Sequence, residues 1–318
     1  MVSYNPDKLA SRSDDSASLI ERAAERLERQ SQQTGTPADQ RGRPAADTET
    51  AASEGATSPA EARHPAPPGR PLRREIDLDA LAGQGYVTPH NLRTPIAEEV
   101  RLVKRSVVNV FQHHSSDRSN LVMVTSSFPR EGKSFVALNL AISLACELDY
   151  HVLLVDADVE RPVIFNRLGL DPGPGLMDWL RAPDRMDVAD IIQRTNIDRL
   201  SLISAGSPDD RSTELLASRR MQNLTTELAN RYPDRLIIFD SPPLLACSEP
   251  TTLAEHMGQI LFVVEADHTS RSTIERALSL LPPDCWTGLV LNKSRARNKS
   301  HYYDDYAYKG YRSGGSHG

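Results

Sequence analysis

LVMVTSSFPREGKSFVALNLAISLACEL, residues 121 to 148, decides how this chain folds. Residues 121–126 are an apolar run of strand length, and residues 135–148 repeat apolar side chains at helical period. Between them lies SFPREGKS, Ser127 to Ser134. Strand, glycine-containing loop and helix, in that order, form the setting of a phosphate-binding loop. Backbone N–H groups of such a loop point at a polyphosphate. Gly132 permits close backbone approach, Lys133 reaches the outer phosphates, and Ser134 offers a hydroxyl to Mg²⁺. The general pattern, GxxxxGK[ST], has glycine where this chain has Ser127, and Arg130 occupies a position that often holds a small residue. GKS alone is a common chance match to a surface turn; its place between a strand and a helix is what gives it weight.

Working outward, the same alternation continues. Strands are expected at 151–158, 200–206, 235–243, 259–266 and 287–293. Helices are expected at 96–111, near 175–181, near 188–194, at 212–232 and at 270–281. Ile96, Val100, Val103 and Val107 give the first of these one buried face. Residues 74–89 read as a short helix or an extended arm. Continuous Val/Ile/Leu runs between helices predict an α/β fold, a mostly parallel sheet with helices on both faces.

Two further motifs sit at strand ends. LLVDADVERP, 153 to 162, puts Asp156 and Asp158 at the carboxyl end of a strand, where ligands bind in open parallel sheets. Carboxylates this close repel unless a lysine or metal ion lies between them; a capping Asp beside a solvated one is the plainer reading. LIIFDSPP, 236 to 243, ends a buried strand in Asp240, and a lone buried charge is expensive unless paired or metal-bound. That position in phosphate-loop enzymes serves Mg²⁺. The three motifs in this order are far more specific than any one of them.

Composition bounds the rest. The chain has 318 residues, with 37 Lys and Arg against 43 Asp and Glu, a net charge of −6. No basic excess marks a nucleic-acid binder. Cys146, Cys247 and Cys285 form no CxxC and leave an odd thiol, which disfavours a disulfide framework or zinc site and suits a reducing cytoplasm. No run reaches the roughly 18 apolar residues of a membrane span, and the first residues lack the apolar core of a signal peptide.

Residues 1–30 contain SLIERAAERLER, a short amphipathic helix that either frays or docks on a partner. Residues 31–72 are expected to be a disordered linker, because Ser31 to Pro71 contains no Leu, Ile, Val, Met, Phe, Tyr or Trp. Residues 73–293 form the folded domain. Residues 294–318 are a tail carrying Tyr302, Tyr303, Tyr306, Tyr308 and Tyr311.

On these motifs the chain resembles the bacterial tyrosine kinases, and among them the cytoplasmic autokinases of exopolysaccharide and exosortase-associated loci. Ser127–Ser134 matches the family's Walker A, Val155–Pro162 its Walker A′, and Phe239–Pro243 its Walker B. The tyrosine-rich end matches its autophosphorylation cluster. AEEVRLVK, through Glu98, Arg101 and Lys104, is similar to its oligomerisation motif, with Lys where Arg is usual. Glu160 stands where many relatives carry Arg. The resemblance implies ATP and Mg²⁺ as cofactors and transfer of phosphate to the tail tyrosines. It implies catalytic roles for Lys133, Asp156, Asp158 and Asp240, with Asp156 orienting or deprotonating the tyrosine hydroxyl. Ser134, Asp158 and Asp240 would hold the metal. Ser127, Arg130, Glu131, Gly132, Lys133, Ser134, Phe135 and Asn292 would contact nucleotide.

It further implies homo-oligomers, a separate membrane polysaccharide co-polymerase as activator, and a cognate tyrosine phosphatase. A cytoplasmic chain held at the inner membrane by that partner is the expected location, with no nucleic acid involved. A positioning ATPase of the Min/Par kind shares the motif order, but usually carries an early loop lysine that SFPRE lacks. A non-catalytic nucleotide-binding scaffold is the remaining alternative. The tail carries five basic residues against two acidic ones, a net of +3. Each phosphotyrosine adds roughly −1.5 to −2, so phosphorylation of all five would reverse its sign.

Overall fold

Successive side chains of a strand point to opposite faces, and β1 (Leu121–Ser126) is buried on both. In the computed structural model Leu121 and Met123 pack into one core, and Val122 and Val124 into a second. A strand with two dry faces belongs in the middle of a covered sheet. The structure describes residues 73–113, 118–231 and 234–294. The N-terminal helix, the linker and the five tail tyrosines fall outside the described residues.

The elements follow in order: α1 (Leu78–Gly83), α2 (Pro95–His113), β1, α3 (Lys133–Ala145), β2 (His151–Asp156), α4 (Ile164–Arg167), α5 (Leu176–Arg181), α6 (Val188–Ile191), β3 (Gln193–Arg194) and β4 (Leu200–Ile203). After these come α7 (Ser212–Leu216), α8 (Arg219–Arg231), β5 (Arg235–Asp240), α9 (Glu249–Ala254), β6 (Gln259–Glu265), α10 (Arg271–Leu278) and β7 (Trp286–Asn292). The sheet runs β3-β4-β2-β5-β1-β6-β7, all parallel except β3. Helices α2 and α3 cover one face; α5, α8, α9 and α10 contribute to the core on the other. The expected α/β architecture is therefore the observed one.

Topology positions the site. β1 lies between β5 and β6, so the chain leaves β1 toward β2 on one side and returns to β6 on the other. A crevice opens where strand order reverses in this way. Parallel pairing also brings like ends together: Asp156 of β2 and Asp240 of β5 are register partners. Two of the expected site acids are thus adjacent across the sheet.

Several boundaries differ from expectation for identifiable reasons. Helix α3 starts at Lys133, two residues early, so GKS forms its first turn. The expected helix 212–232 is two helices; the Ser218 hydroxyl donates to the Leu215 carbonyl at 2.6 Å, a local bond that competes with helix continuation. Residues 193–194 are an antiparallel strand rather than a helix end, because they pair with Leu202 and Ser201 of β4, and the N-terminal arm binds their other side. Arg74 N–H donates to the Arg194 carbonyl at 2.7 Å, and its guanidinium to Gln193. Helix α9 was not expected; it opens on Glu249–Pro250, and proline fits a first helical turn, where no N–H is needed.

The arm before α2 is half helix and half extended. Asp77 caps α1 through the amides of Asp79 and Ala80. Beyond α1 the Val87 amide donates to Asn139 Oδ1 at 2.7 Å, while Asn139 Nδ2 donates to the Phe135 carbonyl at 2.8 Å. Tyr86 packs on Phe135 with ring centroids 5.0 Å apart. The arm is therefore fastened to the helix that starts at the phosphate loop. Among the described residues no helix is long and apolar enough to cross a membrane, and the three cysteines are free.

Asn139→Ala leaves the fully buried Val87 N–H without its acceptor. An orphaned buried donor costs about 1–3 kcal/mol. We expect a lower urea midpoint at unchanged slope, read by circular dichroism.

Candidate functional site: a phosphate-loop cleft

The loop between β1 and α3 is built by two left-handed residues. Arg130 has φ 73° and Gly132 has φ 101°. At Gly132 a Cβ would lie 1.9 Å from Asn292 Nδ2, so only glycine fits. No side chain caps α3 at Gly132, which leaves its first amides free for an anion. Ser127 needs no special backbone angle, which explains why glycine is dispensable there.

Glu131 does not face the cleft. Its carboxylate is buried and accepts the Phe128 amide at 2.8 Å and the Thr269 hydroxyl. The loop is braced from outside as well: Asn292 Nδ2 donates to the Glu131 carbonyl at 2.9 Å and Lys293 Nζ to the Arg130 carbonyl at 2.7 Å. Lys293 also pairs with Glu265 at 3.1 Å.

At the head of α3, Lys133 Nζ lies 2.6 Å from Asp158, 3.6 Å from Asp240 and 3.3 Å from the Ser134 hydroxyl. Burial alone would lower its pKa, but Asp240 and Asp158 outweigh that and raise it. Asp240 is fully buried and neither oxygen has a hydrogen-bond partner. Burial raises its pKa against the pull of Lys133. Asp156 accepts the Ile164 amide at 3.0 Å through one oxygen; the other has no partner. Burial, then Asp240, pushes Asp156 up to about 8. One lysine faces three carboxylates, so the cluster has unused capacity for a divalent cation.

Those orphaned oxygens are the test of whether Mg²⁺ fits, and they pass it. Among the described residues no group of three His, Cys, Asp or Glu side chains forms a metal cage. Mg²⁺ does not need one; it takes one or two carboxylates, waters and substrate phosphates. Ser134, Asp158 and Asp240 are the residues that would hold it.

The cleft has a volume of about 910 Å³. Of the residues expected from sequence, Arg130, Gly132, Lys133, Ser134, Phe135, Asp158 and Asn292 line it. Ser127, Glu131, Asp156 and Asp240 lie behind the wall. Residues the motifs did not flag also line it: Arg167, Cys247, Glu249 and Lys293, with Arg161 and Glu160 of the second motif. Glu249 is buried and accepts the Thr213 hydroxyl at 2.6 Å. Only Lys293 carried a sequence signal, its adjacency to Asn292. Glu98, Arg101 and Lys104 lie on α2 outside the cleft; Glu98 pairs with Arg101, and Lys104 with Glu147.

Fold and cleft together define a phosphate-loop α/β site for a nucleotide-like polyphosphate. No family model matches the chain. It is 32% identical over 165 residues to tyrosine-protein kinase ptk of Acinetobacter johnsonii, spanning 52% of this chain and 22% of that one. To tyrosine-protein kinase YwqD of Bacillus subtilis it is 29% identical over 210 residues, spanning 65% and 84%. Among solved structures, the BceF tyrosine kinase domain superposes with a TM-score of 0.55 at 26% identity, over 70% of this chain and 91% of that one. The likeness to the bacterial tyrosine kinases drawn from the motifs is borne out in sequence and fold. The chain spans under a quarter of the length of three of the curated relatives it matches.

A carboxyl whose pKa is raised on folding stabilises the folded state below its unfolded value and loses that contribution as pH climbs through the folded value. For Asp156 the window runs from 3.8 to about 8. Asp156→Asn should therefore gain in melting temperature relative to the parent as pH rises from 5 to 8.5 without nucleotide. A constant difference across that range would contradict the assignment.

Proposed function

We propose that this chain is an ATP-dependent protein tyrosine kinase that phosphorylates its own tail at Tyr302, Tyr303, Tyr306, Tyr308 and Tyr311. The observation that carries the reading is where the tail begins. β7 ends at Asn292, and Asn292 and Lys293 line the same cleft as Lys133, Ser134 and Asp158. The first tail tyrosine is nine residues beyond Lys293. An extended chain reaches about 3.3–3.6 Å per residue, roughly 30 Å, enough for its own cleft or a neighbour's.

In this reading the free amides of α3 and the Lys133 ammonium hold the phosphate oxygens and stabilise the charge on the transferring group. Ser134, Asp158 and Asp240 would hold Mg²⁺, which when bound would supply charge neutralisation on the phosphates. Asp156 is the proposed residue for orienting or deprotonating the tyrosine hydroxyl; it is buried behind the cleft wall, and Asp158, two residues on, lines the cleft. Phe135 and Asn292 shape the nucleotide end. Glu98, Arg101 and Lys104 are the proposed contact between copies. The N-terminal segment is the proposed dock for a membrane polysaccharide co-polymerase, with a tyrosine phosphatase reversing the reaction. Regulation of exopolysaccharide synthesis or export is the process this supports.

Purified protein with Mg-ATP should acquire phosphate on the tail tyrosines, mapped by mass spectrometry. Lys133→Ala, which removes the cation in contact with Asp158 and Asp240, should lower that signal at least about a hundredfold. Replacing all five tyrosines with Phe should remove most of it. ATP hydrolysis without phosphotyrosine, with the membrane partner present, would instead identify a positioning ATPase.

A further inference from the structure

The cleft lining combines two segments of different character. One is the phosphate loop, with Lys133, Ser134 and the α3 amides. The other is the segment after β2, which presents Arg161 and Arg167. Both arginines are exposed. The Arg161 side chain has no hydrogen bond or ion pair among the described residues. Arg167 has only the Tyr86 hydroxyl, a neutral partner. The acids lining the cleft are engaged elsewhere: Asp158 by Lys133, Glu160 by the Ser212 hydroxyl at 3.2 Å, and Glu249 by Thr213. This wall therefore carries two guanidinium groups, neither paired with a carboxylate, beside one exposed carboxylate, Glu160, that is held by Ser212.

The proposed acceptor segment has a matching feature. Asp304 and Asp305 are the only acidic residues from Ser294 to Gly318, and they stand together between Tyr303 and Tyr306. All five basic residues of the tail lie outside that block. Tyr302, Tyr308 and Tyr311 lack an adjacent acid. A guanidinium binds a carboxylate through a fixed fork of donors, so it can select geometry as well as charge.

We propose that Arg161 and Arg167 are specificity-determining residues that bind the carboxylates of Asp304 and Asp305. The cleft then prefers tyrosines with a directly adjacent acid, and Tyr303 and Tyr306 are its first acceptors. The substrate class is an acidic tyrosine peptide, in the tail or in another protein. This rests on the tyrosine-kinase reading and adds the selectivity to it. Exposed ion pairs are individually weak, so the preference is a matter of several-fold rather than all-or-none.

The test uses the full chain with Mg-ATP and two synthetic peptides, HYYDDYAY and HYYNNYAY. The acidic peptide should show a KM about three- to tenfold lower at similar kcat. Arg161→Gln with Arg167→Gln should raise KM for the acidic peptide and leave that for the neutral peptide in place, so the two converge. A fluorescent ADP analogue should bind parent and variant equally, which separates lost selectivity from a damaged fold. Equal KM for both peptides on the parent enzyme overturns this inference and leaves the kinase reading standing. Nucleotide turnover with neither peptide phosphorylated overturns both.

Discussion

One lysine among three buried carboxylates organises this molecule. Lys133 heads α3, Asp156 and Asp240 end adjacent strands, and Asp158 follows two residues after the first. Each carboxylate sits where a dry parallel sheet stops and water would otherwise solvate it. Burial of so much like charge is unfavourable on its own. The cluster is tolerable because the lysine is held in contact, because burial holds Asp156 and Asp240 above the ordinary carboxylate range, and because a cation can complete it. The sheet supplies rigidity, and the charge imbalance supplies affinity.

The loop that carries Lys133 is held by groups distant in sequence. Glu131 reaches Thr269 after β6, and the ends of β7 hold the Arg130 and Glu131 carbonyls. Two non-glycine residues joined by one of these bonds, Arg130 and Lys293, both have positive φ. Such angles cost of order 1–3 kcal/mol each and persist only where the surroundings over-determine them. Two of the four positive-φ non-glycine positions among the described residues thus lie where the phosphate loop meets the root of the tail; the others are Arg199 and Asp267.

Much of this was legible in the sequence. The three motifs lie at strand ends because apolar runs stop there, and a parallel sheet brings all those ends to one edge. The fold class followed from continuous apolar runs of strand length alternating with segments of helical period. What was not legible depends on contacts between remote segments. Residues 193–194 read as helix and form a strand because they pair with β4, and Arg74, 119 residues earlier, binds Gln193 from the other side. Glu131 looked like a loop residue facing ligand, yet an amide and a hydroxyl from opposite sides draw it inward. Asp156 and Asp158 look equivalent in DAD, but β2 ends at Asp156, which stays paired within the sheet beside Asp240, and Asp158 lies in the turn that follows, at the cleft.

The two ends of the domain attach at opposite edges of the sheet. The N-terminal arm joins the β3 edge and the tail leaves the β7 edge, six strand spacings or roughly 29 Å away. The arm nevertheless touches the cleft by another route. It crosses the α3 side of the molecule, where Tyr86 packs on Phe135 and its hydroxyl accepts a hydrogen bond from Arg167. Tyr86 is buried and its neighbour Val87 is pinned by Asn139. The arm therefore cannot shift without breaking a buried hydrogen bond or releasing Arg167. A segment that enters from the far edge of the sheet holds one wall of the cleft, while the segment that leaves from the near edge braces the loop at the other.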